Sequence, residues 1–387
     1  MRLRVAIVGA AAVAATVLAP QLASASGTAW VIQSSRTPSM TGGGAFTAIS
    51  CSSSTKCMGV GTGAGSVGSG FADKWNGTRW RPLSVSAPVG AATSGLQGVS
   101  CTSPTACTAV GYYFDGSGSE FTLAERWNGT AWSIESSPSP GSYGPMLLGV
   151  SCPSASDCTA VGTYQAVTGG PNVTLAEQWN GVQWTVQSTP NPTAAGHWTQ
   201  LTNVSCSASS ACTAVGYYLD SSNSEVMLAE RWNGVTWAIQ STPSPAGALQ
   251  TSLSGVSCQS AAACTAVGKQ ESSTQTLTLA ERWNGTTWAT QSTPSGVFTG
   301  EFSGVSCLTP SACTAVGMYQ IVSGTFVTLA EQWNGVTWAI ESSPNPTYRK
   351  FADLTGVSCV SASTCEAVGY NLNHKGYEFT LAEGNAP

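Results

Sequence analysis

Residues 123–132 read "LAERWNGTAW", and near-copies begin at Leu175, Leu228, Leu279 and Leu329. The last copy stops short as "LAEGNAP", residues 381–387, before its tryptophan hairpin is written. The missing half stands at the other end of the chain, where "SGTAW", residues 26–30, joined to "LAEGN" rebuilds the decapeptide. A repeat cut in this way is completed when the two ends pair. Such pairing closes a stack of repeats into a ring and removes the two exposed strand edges of an open array.

Working outward, a full unit runs approximately "LxGVSCxSxxACTAVGYY", a variable polar stretch, then "TLAERWNGTTWAIQSTPSP". Four strand-like pieces lie in it: A, "LxGVSC"; B, "CTAVGYY"; C, "TLAERW"; D, "TWAIQST". Each is short, rich in β-branched or aromatic residues, and bounded by Gly, Pro, Ser or Asn. Helical periodicity is absent. Four strands in about 50 residues is the period of a propeller blade. The Gly-x-x-Trp motif ends at Trp30, Trp80, Trp132, Trp184, Trp237, Trp288 and Trp338, which sets the count at seven. The expected fold is all-β: a seven-bladed β-propeller, four antiparallel strands per blade, its last blade completed by the strand around Trp30. A solenoid would need atypical polar caps, and the repeats have none.

The order and spacing of "AVGYY…TLAERWNGTTWAIQSTPSP" resembles the repeat of kelch-type propellers, with a glycine-ended B strand, an aromatic on C and a tryptophan after the C–D turn. The kelch double glycine is reduced here to Val-Gly, and the C-strand aromatic is Trp where kelch has Tyr. The turn is also similar to the Asp-box hairpin of sialidase-like propellers, but Trp75, Trp127, Trp179, Trp232, Trp283 and Trp333 occupy the position of the box's aspartate. These resemblances imply the fold and carry over no catalytic residue.

Residues 1–25 read as a signal peptide: Arg2 and Arg4, an apolar run, then Ala23-Ser24-Ala25 before the cleavage point. The expected mature chain, 26–387, is one exported propeller with no membrane segment. The whole chain has 14 basic and 19 acidic residues, and charged residues make up 9% of it. No basic stripe exists to neutralise phosphates, so nucleic acid is not an expected partner. A monomer is expected.

The 14 cysteines form seven C-x5-C pairs. In an exported chain they read as disulfides Cys51–Cys57, Cys101–Cys107, Cys152–Cys158, Cys206–Cys212, Cys258–Cys264, Cys307–Cys313 and Cys359–Cys365, each clipping an A–B hairpin. Zinc favours closer knuckles and histidines, and the chain has only His197 and His374. No metal, cofactor or catalytic residue is expected.

The Asn-Gly pairs signal type I′ hairpins, which would set Trp127 opposite Thr130. The paired tryptophans read as inter-blade core in preference to a ring of sugar platforms. The glutamates of "LAE" (Glu125, Glu177, Glu230, Glu281, Glu331, Glu383) read as structural hydrogen-bonding positions in preference to a catalytic pair.

In a repeat protein, the informative residues break the repeat. On the face made by the B–C and D–A loops these are Tyr112, Tyr113, Tyr217 and Tyr218, the loop pair His197 and Trp198, and Phe351 in "TYRKF". Aromatics among Ser, Asn and Gln suit sugar recognition. The expected function is therefore a non-catalytic binding propeller for an extracellular polysaccharide or cell wall. A scaffold that binds a surface protein, or a hydrolase or lyase with carboxylates in the central funnel, are the alternatives.

Overall fold

The computed structural model describes residues 29–37, 43–63, 68–141, 143–294, 299–321, 324–347 and 350–385. The expected signal peptide, residues 1–25, the tip of the first B–C loop, and Tyr348 and Arg349 lie outside these. The described residues form seven four-stranded antiparallel sheets and no helix. Blade two is typical: A is Ala91–Ser103, B Ala106–Asp115, C Glu120–Trp127 and D Trp132–Glu135. Blade seven is assembled from both ends of the chain, with Phe351–Ser361, Thr364–Leu372 and Glu378–Gly384 followed in space by Val31–Ile32. Val31 pairs with Gly384 and Ile32 with Glu383, as the split decapeptide requires.

The A strands of all seven blades line a central channel, and the D strands form the outer edge. The Phe or Leu of the A strand, such as Phe46, Leu147 or Leu253, is fully buried. A bulge two residues on brings the backbones of neighbouring blades together. A Cβ on Gly98 would stand 3.1 Å from the Cα of Gly149, and one on Gly304 would stand 3.2 Å from that of Gly356. Glycine is required at these positions by the close approach, not by a turn.

The serine of every "VSC" explains itself in the ring. The amide of Cys101 donates to Ser50 Oγ at 2.9 Å, and that of Cys152 to Ser100 Oγ at 3.0 Å. The series ends with Cys51 donating to Ser358 Oγ at 3.0 Å, which joins blade seven to blade one. One backbone donor per blade is thus satisfied by the neighbouring blade, and the ring closes with the same bond that builds it.

All seven disulfides are formed as expected. Each closes a short loop, so the chain-entropy gain is about 2 kcal/mol per bridge. Changing Cys152 and Cys158 together to Ser should cost about that much in urea unfolding. A loss above about 4 kcal/mol would mean the bridge acts through packing instead. Seven bridges place the folded chain in an oxidising environment. Among the described residues, no helix is long and apolar enough to cross a membrane.

The C–D turn departs from the type I′ expectation. Trp127 pairs directly with Trp132, across a four-residue loop in which Asn128 donates its amide to the Ala131 carbonyl. Only the glycine, Gly129, has positive φ, at 96°. Asn128 instead folds its side chain over the loop and accepts from the amides of Thr130 and Ala131 at 2.9 Å. An asparagine cap therefore replaces the two-residue turn, and the two indoles of each blade lie side by side, with centroids 5.8 Å apart in blade two.

These tryptophans are buried between blades, as expected. In three blades the residue after "LAE", or after its counterpart Phe71-Ala72-Asp73, reaches the next blade: Lys74 lies over Trp127, Arg126 over Trp179 and Arg231 over Trp283. A polar side chain three residues after the D-strand tryptophan adds a latch. Trp80 Nε1 donates to Gln33 at 2.8 Å, Trp237 to Gln187 at 2.8 Å and Trp30 to Glu341 at 2.8 Å.

Candidate functional site

The disulfides and Asn-Gly turns occupy one end of the ring, and the B–C and D–A loops the other. Just inside that second end, three positions per blade escape the repeat: eight and six residues before the first cysteine, and five after the second. Their character divides the ring. Blades one to three carry mostly small or uncharged residues there: Gly43, Ala45 and Thr62, then Thr93, Gly95 and Tyr112, then Gly144, Met146 and Thr163. Blades four to seven carry Trp198, Gln200 and Tyr217, then Gln250, Ser252 and Lys269, then Thr299, Glu301 and Met318, then Phe351, Asp353 and Tyr370.

Several of these side chains are tied to their neighbours. Trp198 Nε1 donates to Gln200 Oε1 at 3.1 Å, which fixes the indole along its own strand. Gln250 accepts from the amide of Glu225 at 3.3 Å and donates to Glu271 at 3.3 Å. Lys269 lies 2.9 Å from Glu271 and 3.8 Å from Glu225, bridging blades four and five. Phe351 stacks on Tyr370 at 5.5 Å.

The sector of blades four to seven is acidic. Burial, aided by the negative charge of Glu301, raises the Asp353 carboxyl to about 7, against a 3.5 Å contact from Ser303 that favours the ionised form. Burial also raises Glu301, while Lys269 opposes it. Burial and then Asp353, Glu378 and Glu301 push the Tyr370 phenol up to about 12. Burial alone would lower Lys269, but Glu271, Glu225 and Glu301 hold it above its ordinary value. Asp353 is thus about half protonated at neutral pH, and Tyr370 keeps its proton there.

The structure brings Trp198, Tyr217 and Phe351 into this sector. His197 is exposed beside it, its carbonyl accepting from the amide of Asn172 at 2.9 Å. Tyr112 stands on blade two, packed edge-on against Phe114. Tyr113 and Tyr218 point the other way and pack on the blade cores, since successive residues of a strand face opposite sides. The candidate tyrosines therefore belong to two different faces.

Sequence reasoning missed Lys269, Glu301 and Asp353. The signal was available: Glu301 and Asp353 stand immediately before the buried Phe302 and Leu354, where blades one to three have Ala, Gly and Met. The acidic B–C loops need no metal. Asp115 Oδ1 accepts from the amides of Ser117 and Ser119 at 2.8 and 3.0 Å, capping its own loop. Among the described residues, no group of three or more metal-ligating side chains gathers.

No protein-family model and no curated protein matches the chain. Solved structures do. An ulvan lyase of a polysaccharide lyase family, bound to -[GlcA(1-4)Rha3S]-, superposes with a TM-score of 0.55 at 8% identity over 86% of this chain and 90% of its own. A Trypanosoma rangeli sialidase matches with a TM-score of 0.46 at 9% identity over 87% of this chain, which spans about half of the sialidase (53%). The fucose-specific lectin of Aleuria aurantia matches with a TM-score of 0.42 at 12% identity, over 78% of this chain and 95% of the lectin. At these identities the likeness is one of fold, and the neighbours include two enzymes and a lectin.

Proposed function

We propose that the protein is an exported, non-catalytic propeller that binds an extracellular polysaccharide on the face where blades four to seven gather their non-repeat side chains. The observation that supports this reading most is the confinement of Trp198, Tyr217, Phe351 and the acidic network to one side of the ring. A scaffold that bound by the ring alone would have no use for that asymmetry. Aromatic faces would stack on sugar rings, and the Gln and carboxylate groups would accept their hydroxyls. The fold of the ulvan lyase makes a polysaccharide a natural occupant of such a face.

Incubation with insoluble polysaccharides and cell walls tests it. The mature protein should be depleted from solution, and Trp198→Ala should weaken depletion about 10-fold or more, as loss of an aromatic anchor does. Binding by no polysaccharide would overturn the reading in favour of a protein partner. Secretion is tested by the N-terminus of the exported chain, expected at Ser26.

A second reading rests on Asp353. A carboxyl that titrates near neutral pH beside Glu301 and Tyr370 is chemistry that a hydrolase or lyase uses. Release of reducing or unsaturated sugar in the same incubation, lost in Asp353→Asn, would establish it and end the non-catalytic proposal.

A further inference from the structure

The paired tryptophans are packing residues, yet two of them are unlike the rest. Trp232 and Trp333 are 9% and 8% exposed, while the other paired indoles are between 3% and 6%. Each opens onto a cleft between its own C–D hairpin and the D strand of the preceding blade. One cleft, of about 380 Å³, has Trp232 and Val235 on one wall and Gln187 and Ser188 on the other. The second, of about 410 Å³, repeats it with Trp333, Val336, Gln291 and Ser292.

At Trp232 the opening follows from the residue after "LAE" in the preceding blade; before Trp333 that residue is Arg282, which among the described residues does not lie over the indole. Lys74, Arg126 and Arg231 cover the indoles of the blades that follow them. The preceding blade offers Trp232 only Gln178, whose amide is turned aside to accept from Gln187 at 2.9 Å. Among the described residues, no cation lies over Trp232 or Trp333. Gln187 and Gln291 are occupied in the clefts, accepting from Trp237 at 2.8 Å and Trp338 at 3.2 Å. The exposed hydroxyls of Ser188 and Thr236, or Ser292 and Thr337, remain at the rim. The lips, Val235 and Val336, are 78% and 80% exposed. No ionisable side chain lines either cleft.

We infer that these two inter-blade clefts are equivalent binding sites for an uncharged pyranose residue. Its apolar C–H face lies against the indole and the valine lip, and its hydroxyls meet the serine and threonine hydroxyls. An apolar wall with a few convergent polar groups is what a sugar ring requires, and the absence of charge selects a neutral one. These sites are separate from the acidic face, so either can fail without the other.

Gln178→Arg writes the "LAER" of other blades into blade three and would cover Trp232 as Arg126 covers Trp179. Val336→Arg closes the second lip at an exposed position. The probes are the methyl pyranosides of glucose, galactose, mannose, fucose and N-acetylglucosamine, followed by saturation-transfer NMR and by the indole N–H resonances of Trp237 and Trp338. At least one glycoside should shift both resonances in the unaltered protein. Each single variant should remove the response of its own cleft and leave the other, and in the double variant neither indole resonance should shift. The proposal fails if no glycoside perturbs either indole in the unaltered protein, a result that needs no variant to fold. It also fails if a glycoside shifts both indole resonances in the double variant as it does in the unaltered protein.

Discussion

Raising the pH from about 5 to about 9 is expected to lower the melting temperature by about 10 °C or more. Glu125, Glu177, Glu230, Glu281, Glu331 and Glu383 are fully buried, and Asp73 fills the same position in blade one. Ser137 donates to Glu177 at 2.7 Å and Ser343 to Glu383 at 2.7 Å, but neither oxygen of Glu230 or Glu331 has a partner. Among the described residues, no salt bridge reaches any of the seven. Burial therefore raises Glu125, Glu230 and Glu331 to about 8, Glu177, Glu281 and Glu383 to about 7, and Asp73 to about 6.

In the unfolded chain the glutamates lose their protons near 4.5 and Asp73 near 3.8, so between about 4.5 and 8 the folded state holds more protons than the unfolded one. The stability is fully present below the unfolded value and is lost as pH rises through the folded ones. A carboxyl moved from 4.5 to about 8 corresponds to roughly 5 kcal/mol as an upper bound. Glu230→Gln, which is neutral at every pH, should raise the melting temperature at pH 9 and change it little at pH 5. A flat profile between pH 5 and 9 would show that the carboxylates are solvated in the folded ring. The expected hydrogen-bonding role of these glutamates thus holds for some blades, while all seven share burial as neutral acids.

A chain that begins at residue 38 should lose its cooperative transition and self-associate. The segment 29–37 holds three blades at once. Trp30, buried, donates to Glu341 of blade six; Gln33 donates to Glu366 of blade seven at 2.6 Å and accepts from Trp80 of blade one. The Gln33 amide adds a 2.8 Å bond to the Ala382 carbonyl, and Ser35 and Thr37 hydrogen-bond to Thr380. Without it, the Glu378–Gly384 strand is an unpaired edge, and the half-buried Glu341 and the buried Glu366 lose their donors. Trp30→Ala alone should cost about 3–5 kcal/mol, the usual range for deleting a buried indole. Sedimentation and thermal unfolding of the truncated chain test the ring, and a peptide of residues 29–37 added in trans should restore both. A truncated monomer that melts like the full chain would mean the clasp is ornamental.

What the repeat made legible was whatever each blade states for itself. The apolar pattern, the cysteine spacing and the divided decapeptide determined strand number, blade number, disulfide pairing and the closure at Trp30. Those properties depend on short-range pattern and on counting, and a repeat supplies the same evidence many times over. Its one local error, the Asn-Gly turn, arose because the same dipeptide serves a two-residue hairpin and an asparagine-capped loop. The pairing of Trp127 with Trp132 decides between them.

The sites could not be read in that way, because they are made between blades. Glu301 and Asp353 are separated from Lys269 and Tyr370 by strands that only the ring brings alongside one another. Tyr112 and Tyr113 are neighbours in the chain and face opposite sides of the sheet. Trp232 and Trp179 are the same residue in the repeat, and they differ because Arg126 covers one and Gln178 leaves the other open. Sequence determined the ring; the packing of each blade against the next decided which side chains are joined, which are buried without a partner, and which surfaces stay open.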